Sequence, residues 1–373
     1  MSSAFSYGTD LLVFVVIVGG RLLLPLLIPR FPLPVVLACL VLDGVDHTVL
    51  QSLTDIPLDT YQNYDKALDI YYGSITFIST LRNWTSRPAF LLGAFLYLYR
   101  LVGVVLFEAF PPSGARWVLL IFPNTFEFYF IAIEAIVIFW AMRRLSTWFL
   151  VWLVVGLWVV IKLPQEYWIH IAKMSMTDTI RDHPWVGLLI AAFVVVVVLV
   201  AWFVVRPRTP PIDHRPRLRA PELPTSRTGE VRILSWAFAM KLVMLSMLIF
   251  VFGSILPGVE LSLGQATAWV VGLLVLDVGV SGLISRYWPR RPLLIEFVIL
   301  AVANMGFVQV LLTVTRRRTG TGPAGWLNFG APLFFVLLLT LVTVLIDLYQ
   351  PIQEMRLRQP QASVEGGTQG ANA

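Results

Sequence analysis

Nine apolar stretches dominate this chain, at 11–28, 89–110, 117–141, 146–163, 186–205, 233–254, 266–285, 292–315 and 331–349. A helix needs roughly 20 mostly apolar residues to cross about 30 Å of hydrocarbon, and each stretch meets that need. In water they would expose more apolar surface than a chain of 373 residues can bury. Hydrophobic residues make up 57% and charged residues 13%, where a soluble chain carries about 25% charged, and the mean hydropathy is +0.78. Soluble folds are thereby excluded. The expected fold is all-α, a polytopic bundle of transmembrane helices embedded in a lipid bilayer.

Two shorter segments lie between the first two runs. Residues 32–49 open on Phe31-Pro32-Leu33-Pro34 and end in Asp43-Gly44-Val45-Asp46-His47, while 66–81 carry Ser74, Thr76, Ser79 and Thr80. Polar faces are costly in hydrocarbon, so both are expected to be helices shielded by neighbours. They bring the expectation to about eleven spans. In a nine-span version, 32–81 lies re-entrant or interfacial and the chain ends on the same sides. The first run follows Asp10 and contains Arg21, with no positively charged leader and no small-residue cleavage site, so it is read as a retained first span.

The arginines orient the bundle. Arg206, Arg208, Arg215, Arg217, Arg219, Arg227 and Arg232 crowd a proline-rich connection at 206–232, and such loops stay cytoplasmic. The same assignment places Arg82, Arg87, Arg143-Arg144, Arg286 and Arg290-Arg291 inside. Arg316-Arg317-Arg318 runs against it. The N-terminus is then outside and the C-terminus inside. The organisation read from this is a bundle at 1–205 with a polar, outward-facing segment at 43–83, the basic loop 206–232, a second bundle at 233–349, and a disordered cytoplasmic tail at 350–373. The 28 basic residues include four lysines and 24 arginines, a skew that suits a GC-rich bacterial genome and a bacterial inner membrane.

Cys39 is the single cysteine, so neither an internal disulfide nor a cysteine-based metal site is available. The net charge of +6 comes from loop arginines facing anionic lipid, which argues against nucleic acid as a partner. Phosphate-binding glycine loops, a Walker lysine and a nucleophile elbow are absent.

The scarce polar residues point to chemistry. Ionisable groups inside spans are functional candidates by default. Glu127 and Glu134, seven apart, share a helix face after the Pro123-Asn124 break, and Arg100 is a natural partner for one of them. Lys241 and Asp277 are a second expected pair, and Glu296 and Asn304 line the next helix. The densest polar stretch contains Tyr61, Tyr64, Asp65, Lys66 and Asp69, whose helical spacing suits the lining of an outward cavity. Asp43-x-x-x-His47 and Glu166-x-x-x-His170 each place a carboxylate one turn from an imidazole. With Asp46 they suit a divalent ion such as Zn²⁺, or a general acid–base pair. Local hydrogen bonds at the membrane surface explain the same spacing.

Three functions fit. The first is a transporter or permease for a small solute or lipid-linked molecule, resting on the span count and the buried charges. The second is an intramembrane transferase or hydrolase acting on a lipid-linked substrate at the outer face through Asp43, Asp46, His47, Glu166 and His170. The third is a scaffold or accessory subunit.

Overall fold

The computed structural model describes residues 2–54, 58–109, 116–139, 146–172, 176–208, 217–221, 236–255, 263–288, 293–319 and 330–358. Among these residues every regular element is helical. The helices are α1 Ser2–Leu23, α2 Pro32–Leu53, α3 Leu58–Asn83, α4 Arg87–Ala109, α5 Arg116–Ile121, α6 Thr125–Phe139 and α7 Thr147–Gly156. They continue with α8 Leu163–Glu166, α9 Met176–Asp182, α10 Pro184–Leu199, α11 Trp236–Ile255, α12 Leu263–Tyr287, α13 Leu293–Thr319 and α14 Gly330–Arg358. Seven helical stretches are long and apolar enough to cross a membrane: Asp10–Leu27, Arg87–Ala109, Trp117–Phe139, Thr147–Glu166, Thr267–Ile284, Leu293–Leu311 and Val336–Met355. Pro184–Leu199 and Ala239–Val251 are shorter apolar helices. The protein is therefore a multi-pass, all-helical membrane protein.

The polar segment is a pair of long helices. α2 and α3 contain 22 and 26 residues, about 33 and 39 Å at 1.5 Å per residue, and neither doubles back on itself. α3 starts eight positions earlier than the semi-polar run indicated. Its hydroxyls find partners within the bundle. Ser74 bonds to the Ile70 carbonyl at 2.7 Å and the Tyr97 hydroxyl at 2.8 Å, and Thr76 donates to the Tyr72 carbonyl at 2.8 Å. The apolar stripe of α3 (Ala67, Tyr71, Ile75, Ile78) is buried in one core that also takes in Val36 of α2, Leu248 of α11 and Val342 of α14. Burial all round from Ser74 to Arg82 is what lets this polar stretch of α3 sit among apolar helices. α14 runs on through Pro351 to Arg358, so a tail that is irregular from Gln350 onwards is replaced by two further helical turns.

Pro123 breaks one expected helix into α5 and α6. A break inside a membrane bundle leaves carbonyls that lipid cannot satisfy. Here α4 supplies the donors: Tyr99 Oη reaches the Ile121 carbonyl at 3.0 Å and Arg100 Nη1 the Phe122 carbonyl at 2.8 Å. Gly103 permits this approach, because a methyl group there would fall on Phe122 Cβ and its ring. Gly103→Ala is therefore expected to destabilise the chain by about 1–3 kcal/mol through overpacking, read as an earlier unfolding midpoint in detergent; a wild-type midpoint would refute the close packing.

After α7, the helix widens into π turns at Leu157–Lys162 and Tyr167–Ile171, on either side of α8. Pro164 has no N–H to give to the helix ladder. The i→i−5 bonds from Leu163 to Trp158 and from Ala172 to Tyr167 accommodate the break. Such turns recur at functional sites.

One end of the bundle is pinned by the basic connection. Ala220 N–H donates to the Arg30 carbonyl at 2.8 Å, and Arg82 bridges the Pro29 carbonyl at 2.5 Å and the Pro221 carbonyl at 2.9 Å. Asn83 adds a bond to Pro29 at 3.1 Å. Arg82 and the described residues Ala220 and Pro221 thus lie together at one end of the bundle.

Candidate functional site

Arg21 sits near the C-terminal end of α1, where four aspartates converge on it. Nη1 bonds Asp46 of α2 and Asp65 of α3; Nη2 bonds Asp43 of α2, at 2.5 Å, and Asp69 of α3. Helical spacing explains the fit. Asp43 and Asp46 are three apart, and Asp65 and Asp69 four apart, so each pair occupies one face of its helix. Each guanidinium nitrogen then spans the seam between the two faces. Tyr71 fixes the seam to α1 by donating to the Leu22 carbonyl at 2.9 Å.

The cluster is a bowl with a buried floor. Arg21 and Asp46 are 6% and 2% exposed, whereas Asp43, Asp65 and Asp69 form a rim at 45%, 38% and 54%. Counted along α2 from Pro32, Asp43 and Asp46 lie about 17 and 21 Å beyond the pinned end, and Asp65 and Asp69 lie about 27 and 21 Å from Asn83 along α3. The bowl therefore occupies the half of the bundle away from the pin.

Among the described residues, one guanidinium bonds four carboxylates, a dense gathering of acidic groups for a partly buried site. Carboxylate oxygens of Asp43, Asp46 and Asp65 all lie within 4.8 Å of one another. Two oxygens on opposite sides of a divalent ion, each at about 2.1–2.5 Å, are separated by about 4–5 Å. The three oxygens thus already stand at bridging distance. An all-oxygen set suits Mg²⁺, Mn²⁺ or Ca²⁺ better than Zn²⁺.

A second polar patch adjoins the bowl. Lys162, buried in the π turn before α8, contacts Gln165 Oε1 at 2.9 Å and Glu166 Oε1 at 4.0 Å, and lies 4.7 Å from the Phe128 ring. Glu166 accepts the Asn124 N–H at 3.2 Å, and Asn124 donates to Glu127 at 3.3 Å. Asp43 is within electrostatic reach of both Glu127 and Lys162. A small cavity below Arg21, lined by Cys39, Asp43 and Tyr72, lies on this side. Lys66, on the rim of α3, reaches Glu108 of α4 at 3.6 Å.

The expected pairings are altered. Arg100 donates to the Phe122 carbonyl while staying within electrostatic reach of Glu127, and Glu134 accepts the Trp84 indole N–H at 2.8 Å. Lys241 binds both oxygens of Asp347, at 2.7 and 2.8 Å, because α14 packs beside α11; Asp277 stays within its electrostatic reach. The side chains of His47, His170, Tyr61 and Tyr64 lie outside the described residues. Arg21 and Lys162 are the residues that sequence reasoning passed over. Both are ionisable groups inside apolar runs, which was signal enough.

No family model, curated protein or solved structure matches the chain.

Proposed function

We propose that this chain is a membrane enzyme that holds a divalent cation in the aspartate bowl and acts on a lipid-linked, phosphate-bearing substrate at that face of the bilayer. The observation that carries the reading is the convergence of Asp43, Asp46 and Asp65 from two helices to within 4.8 Å. Mg²⁺-like ions are held by one or two carboxylates together with substrate phosphates, and there they neutralise charge and position the leaving group. Lys162, within electrostatic reach of Asp43 and Glu127, and Arg100, within reach of Glu127, supply positive charge for the rest of such a substrate. The topology belonging to this reading has about eleven spans, with the bowl towards the outside.

Transport fits less well. It calls for charged groups running from face to face, whereas Lys241, Asp277 and Asp347 belong to α11, α12 and α14, apart from the bowl on α1–α3. Apolar residues of α3, α4 and α11, among them Ile75, Leu101 and Leu248, fill the core that both groups flank.

The test uses Mn²⁺ as a spectroscopic probe on the full chain in nanodiscs. Wild-type protein should bind Mn²⁺ saturably, with displacement by Mg²⁺. Asp43→Asn combined with Asp65→Asn should weaken binding by about 10–100-fold, the scale seen when a metal's ligand set is disturbed. Absence of binding in the wild type, or wild-type binding in the double variant, defeats the proposal.

A further inference from the structure

The other half of the chain contains a buried carboxylate with an unmet need. Asp277 lies near the middle of α12, and Asn304 occupies the facing position on α13; they are 4% and 3% exposed. Both line a small enclosed cavity whose wall includes Leu245 and Ile249 of α11, Leu274 of α12 and Thr343 of α14. Asn304 Nδ2 donates to Thr340 Oγ1 at 3.0 Å, which orients the amide. Oδ1 of Asp277 and Oδ1 of Asn304 have no hydrogen-bond partner among the described residues. The Asn304 amide also hydrogen-bonds the Asp277 carboxylate, yet an unpartnered oxygen on each side chain is costly in a low-dielectric interior.

Charge accounting sharpens the point. The charged groups facing this region are Lys241 of α11, Asp347 of α14 and Asp277 itself, with Glu296 further along α13 beside Ser281 of α12 at 3.3 Å. Lys241 is committed to Asp347 through both oxygens. Asp277 feels Lys241 only at a distance and makes no ion pair with it among the described residues. It sits near the centre of the membrane-crossing stretch Thr267–Ile284, where an unneutralised charge is least tolerated. What the cavity lacks is one positive charge, carried by a body no larger than a water molecule and bound through oxygen. A divalent ion would overshoot, since only one carboxylate is present, and an anion is excluded.

We propose that Asp277, Asn304 and Thr343 form a monovalent cation site, with Na⁺ as its ligand. Asp277 Oδ1 supplies the charge, Asn304 Oδ1 a neutral oxygen and Thr343 a hydroxyl, a hard-oxygen set from three helices. The site is separate from the aspartate bowl and stands whether or not the bowl binds metal.

The experiment is equilibrium binding of radioactive sodium to the full chain in nanodiscs, at mildly alkaline pH and with excess Mg²⁺ to occupy any divalent site. Wild-type protein should bind one sodium per chain, displaced by unlabelled Na⁺. Acidification should weaken the binding, because a proton competes for Asp277. Asp277→Asn should abolish it, and Asn304→Ala should weaken it about tenfold or more. If Asp277→Asn does not fold, Asn304→Ala and Thr343→Val decide the matter, and wild-type affinity in both overturns the site. Absence of saturable sodium binding by the wild type overturns it as well, and leaves the cavity to water or a proton. Wild-type binding by folded Asp277→Asn has the same consequence.

Discussion

Replacing Arg21 with methionine is expected to destabilise the folded chain by about 3–5 kcal/mol, the cost of removing one partner from a buried ion pair. The figure applies to the floor of the bowl, where Arg21 and Asp46 are both almost fully buried; the exposed rim carboxylates add less, since solvent screens them. Without the guanidinium, four carboxylates from α2 and α3 repel one another across the seam that joins those helices to α1. Unfolding of the purified protein by SDS titration in mixed micelles measures the effect. Adding Asp46→Asn should recover part of the loss, because it removes the anion stranded at the floor, and the two changes should be non-additive as contacting residues are. An unchanged midpoint in Arg21→Met would show that the guanidinium contributes no net stabilisation. The folded fraction of Arg21→Met should also bind Mn²⁺ more tightly than wild type, since the competing cation has gone. Structural glue and cation site predict the same loss of stability, but only the latter predicts the gain in affinity.

Trp84 should show a comparable loss for a different reason. It is 1% exposed, stacks on Phe130 with centroids 5.8 Å apart and meets Tyr129 edge-on at the same separation. Its fit is tight, since a methyl group on Gly93 would come within 2.9 Å of its Cζ3. Trp84→Ala should therefore cost about 3–5 kcal/mol for the cavity it leaves. Trp84→Phe separates packing from polarity. It keeps most of the ring but removes the N–H that Glu134 accepts, leaving a buried carboxyl unpartnered at about 1–3 kcal/mol. The unfolding midpoints should fall in the order wild type, Trp84→Phe, Trp84→Ala. Equal midpoints for wild type and Trp84→Phe would mean that Glu134 gains nothing from the indole.

Much of the helical layout is legible in the sequence because the bilayer imposes a length on every apolar run. The aspartate pairs are legible too, since i,i+3 and i,i+4 spacing places them on single helix faces. Which faces meet is not, because spacing within one helix carries no information about its neighbour. Lys241 illustrates this: Asp277 is the nearer acidic residue in sequence, yet Asp347, on the helix beside α11, takes the bond. Arg100 shows a second limit. Its sequence context advertises a charge needing a partner, and Glu127 lies within its electrostatic reach, but its hydrogen bond goes to a backbone carbonyl freed by Pro123, which a search among acidic residues passes over. Arg21 was visible as an arginine in an apolar run. Its meaning emerges only when α2 and α3 present four carboxylates to it.

The pin formed by Arg30, Arg82, Ala220 and Pro221 bears on the order in which the protein is made. Chains are synthesised from the N-terminus, and their early parts fold first. Residues 29–30 lie in the turn that leads into α2 and residues 82–83 end α3, and the partners described for them in the connection are present once residue 221 has been added. The connection can therefore be anchored to α2 and α3 before any residue of α11 exists. α11 and α14, which pack against α3, then start from a tether already fastened at its base rather than from a free loop, which shortens the search for their places in the bundle.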